Sequence, residues 1–242
     1  MMKYIITLFT LLFTSTLFAQ SLEGAWQLTH ENGELVTNKE VIAIYQDGYF
    51  ALGAKEAGTD KFLYASGGDY ELNGRNYSET QDFNSKSPQR IGSKMTFSIK
   101  FDDDQMKLTS GSSSQNWQKF PVHRDLLTRT WVITGRERDG KMNAMTPGDR
   151  RTVKILSGGR FQWIAFNSAT KEFSGTGGGT YVAANGMYTE NIRFFSRDDS
   201  RVGASLQFHY EIKNGKWHHK GKSSKGEPIY EIWSPYREAY QK

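Results

Sequence analysis

The 242-residue chain contains no cysteine. It can have no disulfides, no thiolate ligands for zinc and no lipid-modified cysteine, so its stability has to come from burial. A surplus of one charge is missing as well: 31 Lys and Arg face 26 Asp and Glu, a net charge of +5. The basic residues are interleaved with acids, as in RERDGK at 136–141. Without a concentrated basic face, a nucleic-acid partner is not expected. The one exception, a Lys and His cluster from Lys213 to Lys225, reads as a solvated hairpin tip. Beyond Phe18 no apolar run approaches the roughly 20 residues of a membrane-spanning helix. Polar residues interrupt both faces of the short strands, which argues against a lipid-facing barrel.

Catalytic and metal-binding motifs are absent too. The five histidines, His30, His123, His209, His218 and His219, include no i, i+4 helical pair, and adjacent strand residues such as His218 and His219 point to opposite faces. No metal and no cofactor is therefore expected. A G-x-S-x-G elbow is missing, and the all-β pattern lacks the strand-turn-helix that exposes such a serine. The triplet Gly177, Gly178 and Gly179 precedes a strand, not a helix N-terminus, so it suggests a bulge or close backbone approach before it suggests a phosphate cradle.

The chain begins MMKYIITLFTLLFTSTLFAQS, in which Lys3 precedes an apolar run from Tyr4 to about Phe18 and the small Ala19. This pattern predicts a secretory signal peptide over 1–20 and a mature chain starting near Gln20 or Ser21, exported to the periplasm or the medium.

The remainder of the chain carries a duplication. GGDYELNGRNYSETQDF at 67–83 aligns without a gap on GGTYVAANGMYTENIRF at 178–194, so that Tyr70, Tyr77, Glu79 and Phe83 fall on Tyr181, Tyr188, Glu190 and Phe194. The same offset pairs Gly48 and Phe50 with Gly159 and Phe161, and Phe97 with Phe208. Trp26 answers Trp131, and Trp117 answers Trp233, after small insertions. The chain is two copies of one domain, 21–121 and 122–242, the second with a short C-terminal tail. Their boundary at PVHRD, 121–125, is too short for independent tumbling, so the domains are expected to touch.

Within each copy, alternation dominates. Trp26 and Leu28, Val41 and Ala43, Tyr77 to Phe83, and Met95 to Phe101 alternate in the first; Val153 and Ile155, Phe161 and Trp163, Tyr188 to Phe194, and Leu206 to Ile212 do so in the second. Asn-Gly and Asp-Gly turns separate the runs. Seven or eight short strands joined by hairpins form an antiparallel meander, and closing it removes its edges, which predicts an all-β fold of two tandem up-and-down barrels.

LEGAWQL at 22–28 and LTRTWVI at 127–133 open the two copies with a strand tryptophan. FQW at 161–163 is followed by GGGTY and YTE. On these motifs the chain resembles secreted bacterial lipocalin-like (calycin) proteins of largely unknown function. The resemblance implies barrels closed at the base by Trp26 and Trp131, with a basic residue stacked on each; Lys119 and Arg237 are the candidates. Only the first copy keeps the Gly-x-Trp form, in Gly24, Ala25 and Trp26.

Tyr188 and Glu190 share a strand face with Ile192 and Phe194, as Tyr77 and Glu79 do with Phe83, so both carboxylates are expected to point inward. A buried carboxylate needs a hydrogen-bonding or ionic partner. Three roles stay open for it: fixing the strand register, anchoring a ligand, or acting as an acid or base. Tyr77, Glu79, Tyr188, Glu190, Trp163 and Tyr210 are the candidate ligand-binding residues. Leu52 stands where Trp163 does, and Met106 where Trp217 does, which predicts a larger or differently packed cavity in copy one. The leading expectation is an exported protein binding a small apolar or aromatic ligand. The alternatives are a barrel isomerase or hydrolase using the Glu and Tyr pair, and a solid interaction module whose exposed surface includes Tyr236 and Tyr240. Nothing in the sequence sets the oligomeric state.

Overall fold

The structure is a computed structural model and describes residues 21–241. The expected signal peptide lies outside the described residues. Strands β1 (Gly24–Glu31), β2 (Glu34–Leu35), β3 (Lys39–Gln46), β4 (Tyr49–Glu56), β5 (Phe62–Asn73), β6 (Asn76–Asn84), β7 (Lys94–Asp102), β8 (Gln105–Ser110) and β9 (Ser113–Lys119) build the first sheet. They pair in sequence order, and β9 returns to β1, with Trp26 opposite Lys119. Eight strands thus close a barrel, and β2 is a short arm folded back on β1.

The second sheet repeats this plan with β10 (Arg129–Arg138), β11 (Lys141–Ala144), β12 (Arg150–Ser157), β13 (Arg160–Asn167), β14 (Glu172–Ala184), β15 (Met187–Phe195), β16 (Ser205–Lys213), β17 (Lys216–Lys222) and β18 (Pro228–Pro235), closed by β10 against β18. A single helical turn, α1 (Tyr236–Ala239), comes after β18. Turn chemistry explains the connections: Asp47-Gly48 and Asn185-Gly186 supply the two successive positive φ angles that a two-residue hairpin needs.

The base of each barrel is built alike. Trp26 Nε1 donates to the Leu22 carbonyl at 2.8 Å and Trp131 Nε1 to the Leu127 carbonyl at 2.9 Å. Lys119 lies over the Trp26 ring at 5.0 Å, as the resemblance implied. Arg237 does not stack on Trp131. That ring receives Arg129 at 5.8 Å, because α1 carries Arg237 toward the first barrel, where it donates to the carbonyls of Asp47 and Gly48 and pairs with Asp69.

The barrels share a third core between them. Ile44, Ala51, Ala65 and Phe83 of the first pack against Val153, Ile155, Ile164 and Phe166 of the second, with Tyr236 among them. Phe62 stacks on Phe173, their planes 5° apart. Phe194 and Phe83 belong to this seam and not to the barrel interiors, which corrects the expected alternation. A bulge explains the switch: Gly178 pairs with Phe194 but Gly179 with Ile192, so Arg193 is an inserted residue, and Asp82 plays the same part in the first copy. Beyond the bulge each strand's faces exchange. Tyr236 is buried in the seam and Tyr240 packs beside it, so the tail does not form the exposed aromatic surface considered from sequence.

Polar contacts cross the seam as well. Arg151 and Asp82 form a buried ion pair at 2.6 Å, with Arg151 lying over Phe166 and Tyr240. Thr130 donates to Asp47 and to the Gln46 carbonyl, and Ser157 to the Gln46 side chain. Among the described residues no helix is long and apolar enough to cross a membrane.

Candidate functional site

Each barrel holds a cavity that opens to solvent, of about 560 Å³ in the first and about 850 Å³ in the second. The larger one therefore lies in copy two, despite its bulkier Trp163 and Trp217. In copy one the ring of Tyr45 projects into the cavity wall from the position that Leu156 holds in copy two.

The cavity of the second barrel has apolar walls from Ile133, Trp163, Ile192, Phe195 and Phe208, and its rim carries the exposed Arg138, Arg150 and Arg197. Its floor is charged. Glu190 on β15 meets Lys154 on β12 at 2.7 Å, both nearly sealed from solvent. The Lys154 ammonium also lies 5.5, 5.2 and 5.1 Å from the ring centroids of Tyr188, Trp217 and Trp233. Aromatic faces stabilise a desolvated cation, and the carboxylate neutralises it.

Beside this pair stands a second one. His219, 1 % exposed, directs Nδ1 toward the Glu231 carboxylate at 3.5 Å, and neither ring nitrogen has a geometrically formed hydrogen bond. Glu231 accepts from Arg136 at 2.6 Å and from Trp233 Nε1 at 3.1 Å. Burial works to raise the Glu231 carboxyl, but His219, Lys154 and Arg136 outweigh it and hold it at about 2. Burial lowers the His219 imidazole, only partly offset by Glu231, so the ring is neutral near pH 7. Both His219 and Glu231 line the cavity.

This floor belongs to the second barrel alone. Trp131 is paired with Lys154 where Trp26 is paired with Ala43, and His219 faces Glu231 where Leu108 faces Gln115. The carboxylate is shared: Glu79 in barrel one accepts from Tyr77 Oη at 2.8 Å and from Gln81 Nε2 at 3.0 Å. Burial raises the Glu79 carboxyl, against those hydrogen bonds. In barrel two Lys154 engages Glu190, and the Tyr188 hydroxyl, fully buried, has no hydrogen-bond partner.

Of the residues singled out from sequence, Glu79 reaches the first cavity, and Glu190 and Trp163 the second. Tyr77 and Tyr188 lie beneath the cavity floors as core rings. Tyr210 is half-buried against the second barrel's core, near the Asn185-Gly186 turn and away from the cavity. Sequence reasoning missed Lys154, His219, Glu231 and Arg136. The duplication held a signal for one of them: the offset that pairs Glu79 with Glu190 sets Lys154 on the inward Ala43.

The glycine triplet serves close packing. A Cβ on Gly177 would meet the Trp163 indole, one on Gly178 the Phe194 ring, and one on Gly179 the Asn191 carbonyl across the bulge. Among the described residues no group of three His, Asp or Glu side chains is arranged to hold a metal ion. No protein-family model matches this chain, and no curated protein does.

Proposed function

We propose that the protein is an exported small-ligand-binding protein of lipocalin-like type, in which the second barrel takes a ligand with an apolar or aromatic body. The observation that carries this reading is the cavity of about 850 Å³, which joins aromatic walls to a buried polar floor. Ligand sites combine these features: a concave apolar volume of several hundred Å³ and a few convergent polar groups. The ligand body lies against Trp163, Phe195 and Phe208, and its polar end meets Lys154, Glu190 and His219. The Trp26 and Lys119 pair at the barrel base is in keeping with the calycin resemblance.

Native mass spectrometry of the protein purified from the periplasm or medium is the direct test. A co-purifying small molecule, bound about tenfold more weakly after Trp163→Ala, is the expected result. A ligand-free mass, with no thermal shift from apolar and aromatic compounds, would remove the proposal's basis. N-terminal sequencing that starts near Ser21 tests export.

A barrel enzyme is the second reading, and His219 is what favours it: a neutral, buried imidazole beside a carboxylate is equipped to accept a proton. Conversion of the bound compound by the wild-type protein and not by His219→Gln, with binding retained, would select catalysis over simple binding.

A further inference from the structure

The second barrel contains, as part of its own chain, an ammonium group seated on a carboxylate and enclosed by rings. Lys154 Nζ lies 2.7 Å from Glu190 Oε1 and is surrounded by Tyr188, Trp217 and Trp233. Such an arrangement recognises a compact, strongly hydrated cation by replacing its water with a counter-charge and π faces. The first barrel keeps much of this apparatus and lacks the lysine. Glu79 stands for Glu190, Tyr77 for Tyr188 and Trp117 for Trp233, while the register position of Lys154 is occupied by Ala43.

The consequence is visible at the carboxylate of the first barrel. Glu79 accepts hydrogen bonds only from neutral donors, Tyr77 and Gln81, and Arg90 acts on it only through its charge from farther away. The Trp117 indole N–H is buried without an acceptor for a separate reason, because Gln115 stands where Glu231 accepts from Trp233 in the second barrel. The cavity of about 560 Å³ reaches both Glu79 and Trp117, so the space in front of the carboxylate is open to a ligand.

We infer that the first barrel binds an organic primary ammonium at Glu79, its nitrogen taking the place that the Lys154 ammonium holds in the second barrel. This inference rests on the ligand-binding reading of the barrels and extends it to a charged class in the smaller cavity. The walls limit the rest of the molecule. Tyr45, Leu52 and Phe97 call for an apolar body, while Lys86 and Arg90 line the same cavity, so a second cation on the ligand is disfavoured. A monoamine with an apolar chain or ring fits these constraints.

The test is calorimetric titration of the purified protein with octylammonium chloride and 1-octanol, probes of equal length that differ in charge. Octylammonium is expected to bind with a stoichiometry of one and about tenfold or more tighter than octanol. Glu79→Gln and Ala43→Lys are each expected to weaken octylammonium about tenfold and to leave octanol unchanged. Lys154→Ala, which empties the built-in ammonium site, is expected to raise the octylammonium stoichiometry from one to two; this variant tests the inference even where a barrel-one variant does not fold. Equal affinity for the two probes, amine binding indifferent to both barrel-one variants, or an unchanged stoichiometry in Lys154→Ala overturns the ammonium site. Octanol binding without amine preference leaves the ligand-binding reading standing, whereas failure of both probes to bind counts against both.

Discussion

Glu79 and Glu231 both face barrel interiors, and their surroundings push the two carboxyls in opposite directions. Glu79 is raised above its ordinary 4.5, so its contribution to stability is present below that value and is lost as pH rises through the raised one. Glu231 is held at about 2, so its contribution is present above 4.5 and disappears as pH falls toward 2. His219, lowered by burial, contributes above 6.5 and loses that contribution in acid, in the same sense as Glu231. Denaturant titrations between about pH 3 and pH 8 should therefore show Glu231→Gln destabilising at neutral pH and progressively less so in acid. Glu79→Gln should show the reverse trend, with its most favourable effect at the alkaline end. The Lys154 and Glu190 pair obeys a different rule, because removing one buried partner strands the other charge. Lys154→Met is expected to destabilise by about 3–5 kcal/mol, and adding Glu190→Gln should return most of that loss in a double-mutant cycle.

At the scale of strands and turns, much of the fold was legible because its signals are local. Period-two alternation marked the strands, and Asp47-Gly48 and Asn185-Gly186 marked hairpins by their need for positive φ. The inward placement of Glu79 and Glu190 was legible from the same alternation, and the duplication marked it as a property of the domain. The bulges were not, since one inserted residue leaves no mark in composition. Their trace was the glycine pair opposite, where Gly179 admits the Asn191 carbonyl and Gly68 the Thr80 carbonyl. Strand β12 misled for another reason. Val153 and Ile155 face the seam while Lys154 faces the lumen, so the usual rule of apolar inside is inverted by the presence of a second barrel. The meeting of His219 with Glu231 depends on the register set by the connection between β17 and β18, which no short-range pattern encodes. The bulge itself can be tested. Gly179→Ala drives a Cβ into backbone and is expected to cost more than about 3 kcal/mol, whereas Gly148→Ala, in open space, should stay within about 0.5 kcal/mol in thermal denaturation.

For the whole molecule, the seam makes the two barrels one structural unit. Ile44, Ala51 and Phe83 on one side and Val153, Ile155 and Phe166 on the other are buried only because both barrels are present. Unfolding followed by tryptophan fluorescence and by circular dichroism is therefore expected to give a single coincident transition. An isolated segment 21–121 should bind a hydrophobic dye and self-associate, because it carries half of a core on its outside. Arg151→Met, which removes a buried ion pair across the seam together with its contacts to Phe166 and Tyr240, should lower the melting temperature of the complete protein.

The placement of α1 adds a constraint on biogenesis. The first barrel can close its ring once Lys119 has been synthesised, but the greasy flank it leaves is capped by Tyr236 and gripped by Arg237, which are made only after every strand of the second barrel. Throughout the interval the nascent chain carries an open apolar surface, which is when an unfinished protein is most prone to aggregate. A nonsense mutation at Tyr236 would leave every strand through β18 in place and still yield a chain whose halves lack their fastener.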